Sequence, residues 1–319
     1  MKKLLVLLFA SLFIVTSCKT VEDDPISSTS SYKTMTTYMV DNDMDLPKII
    51  TDWIVAAPAL ADVQTFIDGY DIIDIRGAGD YDNGHIKGAV NTTLADILTT
   101  AANTTKPILV VCYTGQTASH AVVALKLSGY DAKVLKWGMC GWRADLAAKW
   151  EGNSGPVNGV NAIGNANWVT TATAPVATYS DPELTLSGDG AAMLKTRISY
   201  MLTNGFKGVA NTDVLTTPSN YFINNFWDQV DVDTYGHIAE AYRVKPLSIA
   251  GGEMKNMDPK KTIATYCWTG QTSSMVTAYL NIIGYDAVSI AYGTNGMIWT
   301  DLTVHQFFTP TVDLPIVIE

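Results

Sequence analysis

The sequence is poor in the residues that define several protein classes. Its 319 residues contain only four cysteines and four histidines. The cysteines form no Cys-x-x-Cys pair and the histidines are scattered, so the chain has neither a disulfide framework nor the ligand spacing of a zinc site. We therefore predict no metal site.

Positive charge is also scarce. There are 21 Lys and Arg residues against 31 Asp and Glu residues, which gives a net charge of -10. Nucleic acid is a poor candidate partner, because duplex binding depends on Lys and Arg neutralising phosphates. A hydrophobic content of 47% with only 16% charged residues excludes a disordered chain, and the length suggests about two domains.

The N-terminal apolar run is too short to span a membrane, which takes about 20 residues. Met1-Lys2-Lys3 precedes an apolar stretch over 4–15, a pattern typical of a signal peptide, which we place at 1–17. Val15-Thr16-Ser17-Cys18 resembles the lipobox of bacterial lipoproteins, which implies cleavage before Cys18 and lipidation of that cysteine. A plain signal peptide with an incidental cysteine is the alternative.

Residues 18–43 are predicted to be a lipid-anchored tether, because their Ser- and Thr-rich composition buries little apolar surface. We therefore expect an exported protein whose soluble body is held at a bacterial membrane, on the periplasmic or cell-surface side.

The rest of the chain contains two copies of one pattern. Cys112-Tyr-Thr-Gly-Gln-Thr recurs at Cys267 as Cys-Trp-Thr-Gly-Gln-Thr, and the match continues without a gap to the Gly141 and Gly296 region. We assign 44–150 and 181–319 as two domains and 151–180 as an uncharged linker. Residues 152–180 carry no charged side chain, so either a free linker or a packed crossover fits.

Within each copy, short apolar runs alternate with helical patterns. Residues 70–75 and 107–111 read as buried parallel strands, and 117–128 reads as a helix that ends at Gly129. This alternation predicts an α/β fold with a parallel sheet and helices on both faces.

Both copies place a cysteine where a strand ends and a helix begins. At this edge of an α/β sheet, free amide groups and the helix dipole stabilise an anion. We therefore predict that Cys112 and Cys267 have a lowered thiol pKa and can hold a persulfide, with Gly115 and Gly270 letting the loop curl around the sulfur. A buried cysteine that merely ends a strand is the alternative.

The segments Asp74-Ile-Arg76, Asp80 to Ala89, CYTGQTAS from Cys112, and Gly138 to Trp142 resemble, in this order, the rhodanese (sulfurtransferase) family. The resemblance implies two rhodanese-like domains, each a parallel five-stranded sheet flanked by helices, with no cofactor. It implies catalytic roles for Cys112 and Cys267. The residues that it implies for substrate or anion binding are Arg76, Tyr113, Thr114, Gly115, Gln116, Thr117, Trp268, Thr269, Gly270, Gln271 and Thr272.

The sequence also departs from the family pattern. Thr117 and Thr272 stand where the family often has Arg, which makes thiosulfate a less certain donor. In the second copy Trp227 stands at the place of Arg76, and the chain has no Lys or Arg after Lys261. The first copy is therefore the better candidate for anion chemistry.

Related phosphatases use a His-Cys-x5-Arg loop. Ala118 and Ser273 occupy the arginine position here, so a phosphoryl group would lack its bidentate partner. The sequence therefore does not favour a phosphatase.

Several other side chains have two interpretations. Cys140, which Asn295 replaces in the second copy, is a candidate resolving cysteine or a small buried residue in a turn. Asp74 and Arg76 are interpreted either as a structural ion pair or as residues that contact substrate. His120 faces the sulfur or solvent, and Tyr292 is a candidate wall of the sulfur pocket.

The sequence thus predicts a sulfurtransferase that moves sulfane sulfur through a cysteine persulfide. The donor is thiosulfate, a persulfide or a polysulfide, and the acceptor is a thiol, cyanide or a partner protein. The alternatives are a persulfide carrier or sensor without turnover, and a binding scaffold in the cell envelope.

Overall fold

The structure, a computed structural model, describes residues 28–318. Within these residues two parallel sheets define a first and a second unit. The first sheet has five strands in the order β1-β5-β4-β2-β3, which are Ile54–Val55 (β1), Asp71–Asp74 (β2), Val90–Asn91 (β3), Ile108–Val111 (β4) and Ala132–Leu135 (β5). Ile108 and Val110 of β4 join one apolar cluster, whereas Leu109 and Val111 join another. The strand is thus covered on both faces, which explains its uninterrupted apolar sequence.

Helices connect these strands and extend the chain at its N-terminal side. They are Ser28–Asp41 (α1), Leu46–Ile49 (α2), Val63–Asp68 (α3), Ala78–Asp82 (α4), Ile97–Ala101 (α5), Gln116–Leu127 (α6) and Ala148–Glu151 (α7). The α/β prediction is confirmed, and α6 lies within one residue of the helix predicted at 117–128.

The second unit repeats the parallel arrangement with four strands in the order β7-β11-β10-β8. The elements of this half of the chain are Gly155–Asn158 (α8), Trp168–Val169 (β6), Gly190–Asn204 (α9), Gly208–Val209 (β7), Asn211–Thr216 (α10), Phe222–Asn225 (β8), Gln229–Tyr235 (α11), His237–Ile238 (β9), Ile263–Tyr266 (β10), Gln271–Ile283 (α12) and Ala287–Ile290 (β11).

The prediction of five strands in each sheet is wrong for the second unit. The segment that would form the fifth strand makes a single bridge to β8, between Tyr242 and Asn224, and on its other side Tyr242 bridges to Ala174. The next backbone donor, Val244 N, is taken by the Asn224 side chain at 3.0 Å. Pro246 follows without an N–H group, so the ladder does not continue.

Residues 28–43, predicted to belong to an unfolded tether, instead contain α1. Tyr32, Met35 and Met39 follow one another at helical spacing and are buried. They join the same apolar cluster as Leu194 and Ile198 of α9, against which α1 packs. The average composition of the segment concealed this apolar stripe.

The remaining N-terminal predictions, the signal peptide at 1–17 and lipidation of Cys18, lie outside the described residues. Among residues 28–318, no helix combines the length and the apolar character needed to cross a membrane.

The stretch assigned as an uncharged linker, 151–180, is packed over part of its length. Its β6 pairs antiparallel with β9, and the Trp168 indole N–H donates to Tyr235 O at 2.9 Å. Ala162 is fully buried. The segment therefore packs on the second unit as a crossover and is not a free linker.

The C-terminal segment returns to the first unit. Val317 pairs with His85, and the buried Leu314 joins a core cluster of the first unit. The Trp142 indole N–H donates to Pro315 O at 3.0 Å. Each end of the described chain therefore packs on the unit farther from it in sequence.

Candidate active site

The first cysteine loop wraps backbone amides around a buried sulfur. Cys112 follows the last residue of β4, and α6 begins four residues later. The Cys112 Sγ accepts hydrogen bonds from Gly115 N at 3.1 Å and Ala118 N at 3.4 Å. Gly115 has φ +80°, a left-handed conformation that a glycine adopts without strain. The predicted convergence of the loop on the sulfur is confirmed.

The predicted direction of the thiol pKa is wrong. Burial raises the pKa of Cys112 above its ordinary value, although the loop amides oppose that rise. The side chain is only 5% exposed. Removing a thiolate from water thus costs more than the amide hydrogen bonds return.

A cavity of about 350 Å³ opens above Cys112. The first unit lines it with Arg76, Asp80, Tyr113 and Lys149, among others. The second unit contributes Phe206, Ala291 and Tyr292, so the predicted wall position of Tyr292 is found. The cavity is built by both units.

Arg76 forms the structural ion pair, which is one of the two interpretations that the sequence left open. Its guanidinium pairs with Asp74 at 2.7 Å, and both side chains are about 1% exposed. Its Nη2 also donates to Gly84 O at 2.7 Å. Nη1 is buried and has no hydrogen-bond partner among residues 28–318. Arg76 is also one of the residues that line the cavity, so its positive charge borders the space above Cys112.

A second cation, Lys149, also lies over the Tyr113 ring. Lys149 Nζ stands 4.3 Å from the centre of the Tyr113 ring and lines the cavity. The Tyr113 hydroxyl donates to Asp80 Oδ1 at 2.6 Å, which holds the ring. Burial and the Asp80 carboxylate raise the pKa of Tyr113 to about 12, so the phenol stays neutral.

The second cysteine loop has the same backbone form with different surroundings. Gly270 has φ +76°, and Ser273 N donates to Cys267 Sγ at 3.3 Å. Trp227, at the place of Arg76, packs against Trp268 with ring centres 4.3 Å apart. Aromatic rings thus replace the charged pair of the first unit.

With this geometry established, comparison with known proteins places the first unit. Residues 59–145 match the family model of the rhodanese-like domain. This family is of sulfurtransferase or sulfur-binding type. The matched residues include Arg76, Cys112 and Cys140.

Solved structures give further likenesses. A rhodanese-related protein from Thermoplasma volcanium shares 21% identity, with 28% of this chain and 89% of that one covered and a TM-score of 0.25. A rhodanese-like domain protein from Staphylococcus aureus shares 19% identity, over 28% and 90% of the chains, with a TM-score of 0.25. A rhodanese homolog from Thermus thermophilus shares 23% identity, over 27% and 95%, with a TM-score of 0.22. No curated protein matches the chain.

Two of the residues predicted to bind substrate also make contacts between the units, and one of them, Gln116, lines the Cys112 cavity as well. Gln116 Oε1 accepts a hydrogen bond from Tyr292 N at 2.9 Å, and Gln271 Nε2 donates to Thr114 O at 3.3 Å. Each glutamine therefore reaches the other unit, where α6 and α12 pack together: Gln116 contacts the segment after β11, and Gln271 contacts the first cysteine loop.

The loop threonines also have distinct positions. Gln116 N donates to Thr114 Oγ1, and Gln271 N donates to Thr269 Oγ1 at 3.2 Å, so these two hydroxyls hold the loops. Thr117 is partly exposed and lines the Cys112 cavity. Thr272 is partly exposed as well.

Cys140 lies close to the site but is fully buried. Its N–H donates to Tyr113 O at 3.0 Å, and its side chain packs with Trp150 and Phe307. Burial raises the pKa of Cys140 to about 12. Within residues 28–318 it is a free thiol, as are Cys112 and Cys267, so its resolving role stays a prediction.

His120 neither faces the sulfur nor lies in solvent. It is fully buried and contacts Phe206, and Lys207 N donates to its Nε2 at 3.4 Å. Lys149 and Phe206 line the cavity although no sequence motif indicated them. Phe206 lies outside every repeated motif and Lys149 follows the matched segment, so neither carried a sequence signal.

Proposed function

We propose that the protein is an exported, lipid-anchored sulfurtransferase with two rhodanese-like domains, and that Cys112 carries the sulfur as a persulfide. The observation that supports this is the Cys112 sulfur, which two loop amides contact at the floor of a cavity bordered by Arg76 and Lys149. Such amides stabilise negative charge on sulfur in either the thiolate or the persulfide.

The reaction consists of two displacements at sulfur. In the first, the Cys112 thiolate attacks the outer sulfur of a donor such as thiosulfate. A sulfur–sulfur bond to Cys112 forms, and the donor's own bond breaks to release sulfite with the electron pair. In the second, a thiolate or cyanide attacks the outer persulfide sulfur, and Cys112 leaves as a thiolate. The cycle needs no external oxidant or reductant.

The cavity supports an anionic donor. Arg76 Nη1 has no partner among the described residues, and Lys149 adds a second positive charge at the wall. Asp80 contributes negative charge, but its Oδ1 accepts the Tyr113 hydroxyl. Because Asp74 balances the charge of Arg76, Lys149 is the cation that we propose to take the place of an arginine in the cysteine loop itself.

A carrier or sensor without fast turnover is the second candidate. The observation that favours it is the burial of Cys112, which raises its pKa and leaves little thiolate at neutral pH. Because the thiolate is scarce, loading with sulfur would be slow. A persulfide ionises more readily than a thiol, so the loop amides would hold the loaded form well.

Mass spectrometry after exposure to thiosulfate or polysulfide tests the proposal. We expect Cys112 to gain the mass of one sulfur atom and to lose it when cyanide is added. Cys112→Ser should abolish most transfer, and Cys267→Ser should leave at least half. Loading without turnover would support the carrier, and no sulfur on either cysteine would support the scaffold.

The proposed membrane attachment depends on Cys18. Cys18→Ala should move the protein from the membrane fraction to the soluble fraction without changing the fold of residues 44–319. Recovery of that variant with membranes would contradict the lipobox interpretation.

A resolving role for Cys140 would have its thiolate attack the Cys112 persulfide, release hydrogen sulfide and leave a Cys112–Cys140 disulfide. A reducing thiol would then have to reopen it. Non-reducing peptide mapping after loading detects this crosslink, and two free thiols throughout turnover would exclude it.

A further inference from the structure

The core beneath α12 differs in kind from the core beneath α6. Five buried apolar side chains of the first unit have buried polar counterparts in the second, at matching strand and helix positions. They are Ile73, Val110, Ala118, Val122 and Val134 in the first unit, and Asn224, Thr265, Ser273, Thr277 and Ser289 in the second. A buried hydroxyl costs free energy that a methyl group does not. A polar layer that replaces an apolar one at five positions therefore calls for a role.

Two members of this polar layer, Ser273 and Ser289, form a chain of hydroxyl groups that reaches the second cysteine. Cys267 Sγ and Ser273 Oγ are 3.6 Å apart, and Ser273 Oγ is 2.8 Å from Ser289 Oγ. Ser289 Oγ in turn lies 3.2 Å from Ser274 Oγ and 3.4 Å from Gly270 O. Ser274 Oγ donates to Gly270 O at 2.6 Å, which fixes that end of the chain.

The chain can satisfy two charge states of the sulfur. When Cys267 is a thiol, it donates to Ser273, Ser273 donates to Ser289, and Ser289 donates to Gly270 O. When the sulfur carries negative charge, Ser289 donates to Ser273, and Ser273 donates to the sulfur. Each hydroxyl has one proton and can accept another, so rotation alone converts one arrangement into the other. Ala118 and Val134 give Cys112 no such hydroxyls.

We propose that Ser273 is a positioning residue for Cys267, whose hydroxyl, oriented by Ser289, donates to the sulfur when the sulfur is negatively charged. The second unit thereby stabilises a charged sulfur with neutral donors, in a place where Trp227 stands instead of Arg76.

The ionisable side chains around this loop contact groups other than the Cys267 sulfur. Tyr266 on β10 accepts from Ile238 N, Tyr235 and His305 contact Trp268, and Tyr279 on α12 donates to Met44 O. Arg243 donates to Trp227 O and pairs with Asp228. Within residues 28–318, the only side chain that hydrogen-bonds to the Cys267 sulfur is that of Ser273.

The test measures alkylation of each cysteine by iodoacetamide as a function of pH, with peptide mass spectrometry on the full chain. Ser273→Ala should raise the midpoint pH of Cys267 alkylation by about 1 to 2, since a hydrogen bond to a charged group is lost. Ser273→Thr retains a hydroxyl and should restore much of the parent profile. Cys112 serves as the internal reference and should not change in either variant.

The converse substitution tests the same idea in the first unit. Ala118→Ser places a hydroxyl beside Cys112 and should lower the midpoint pH of Cys112 alkylation. Superimposable Cys267 profiles for the parent, Ser273→Ala and Ser273→Thr would overturn the proposal, as would a parent Cys267 that does not react at any pH. Alkylation does not require sulfur transfer, so this result is independent of the proposed enzymatic activity.

Discussion

Gln116 and Gln271 occupy the same place in the two cysteine loops, and each reaches into the other unit. Gln116 Oε1 accepts from Tyr292 N at 2.9 Å, and Gln271 Nε2 donates to Thr114 O at 3.3 Å. A Cβ atom at Gly115 would collide with Gln271, and one at Gly270 would collide with Gln116. The glycines therefore serve the crossing as well as the turn, and the Cys112 cavity depends on contact between the units.

Removing one of these glutamine contacts between the units should lower the stability of the folded protein. Gln271→Ala leaves Thr114 O without its cross-unit donor in a buried place, so we expect a loss of about 1–3 kcal/mol in the free energy of unfolding. Urea denaturation measures it. Gln64→Ala is the control, since Gln64 is exposed and, among residues 28–318, its side chain hydrogen-bonds only to the nearby Asp68. Equal stability of the two variants would show that the crossing contributes nothing.

The sequence predicted what depends on local pattern and repetition. The apolar run of β4 and the loop from Cys112 into α6 formed as expected, because burial on both faces and the Gly115 turn are locally encoded. The roles of the two glutamines were not predictable, because a repeated Gln in a loop fits substrate binding as well as a contact between units. Only the packing of α6 on α12 distinguishes these roles.

Other features were hidden in properties that local patterns do not report. The raised pKa of Cys112 follows from burial by residues distant in sequence, whereas the loop alone favours a lowered value. The helix that carries Tyr32, Met35 and Met39 is stabilised by packing on α9, which is distant in sequence. The absence of a fifth strand from the second sheet depends on the Asn224 side chain, which takes the Val244 N–H.

Lys149 should give the Cys112 cavity its preference for anions. We expect Lys149→Gln to lower the ratio of Cys112 alkylation rates by iodoacetate and iodoacetamide about 2- to 5-fold at low salt, the effect of one partly solvated charge. The neutral reagent corrects for any change in access. Lys87→Gln is the control, because Lys87 is exposed and is not one of the residues that line the cavity. An unchanged ratio would remove Lys149 from the anion site.

His120 should make the protein sensitive to acid. Burial lowers the pKa of His120 to about 3, against 6.5 for the free side chain. Between these values the unfolded chain binds a proton that the folded chain does not, so stability falls as pH falls. From pH 7 to pH 5 the loss from this one group should be about 2 kcal/mol.

Urea denaturation at both pH values measures this loss. In His120→Gln the titrating group is absent, and the loss between pH 7 and pH 5 should shrink by about the same amount. Comparing the change with pH, rather than the stability itself, separates titration from any packing defect in the variant. Equal pH dependence in the parent and the variant would assign the acid sensitivity to other groups.

The C-terminal segment should stabilise the first unit although it follows the second in sequence. Leu314 is buried in a cluster with Leu109 and Trp142, so Leu314→Ala should cost about 2–5 kcal/mol. Val312→Ala is the matched control, since Val312 is 51% exposed and its truncation should change stability little. Hydrogen exchange locates the effect: amides of β4 should lose protection before those of β10, because Leu314 packs on the first unit. Faster exchange in β10 alone would show that the segment stabilises the second unit instead.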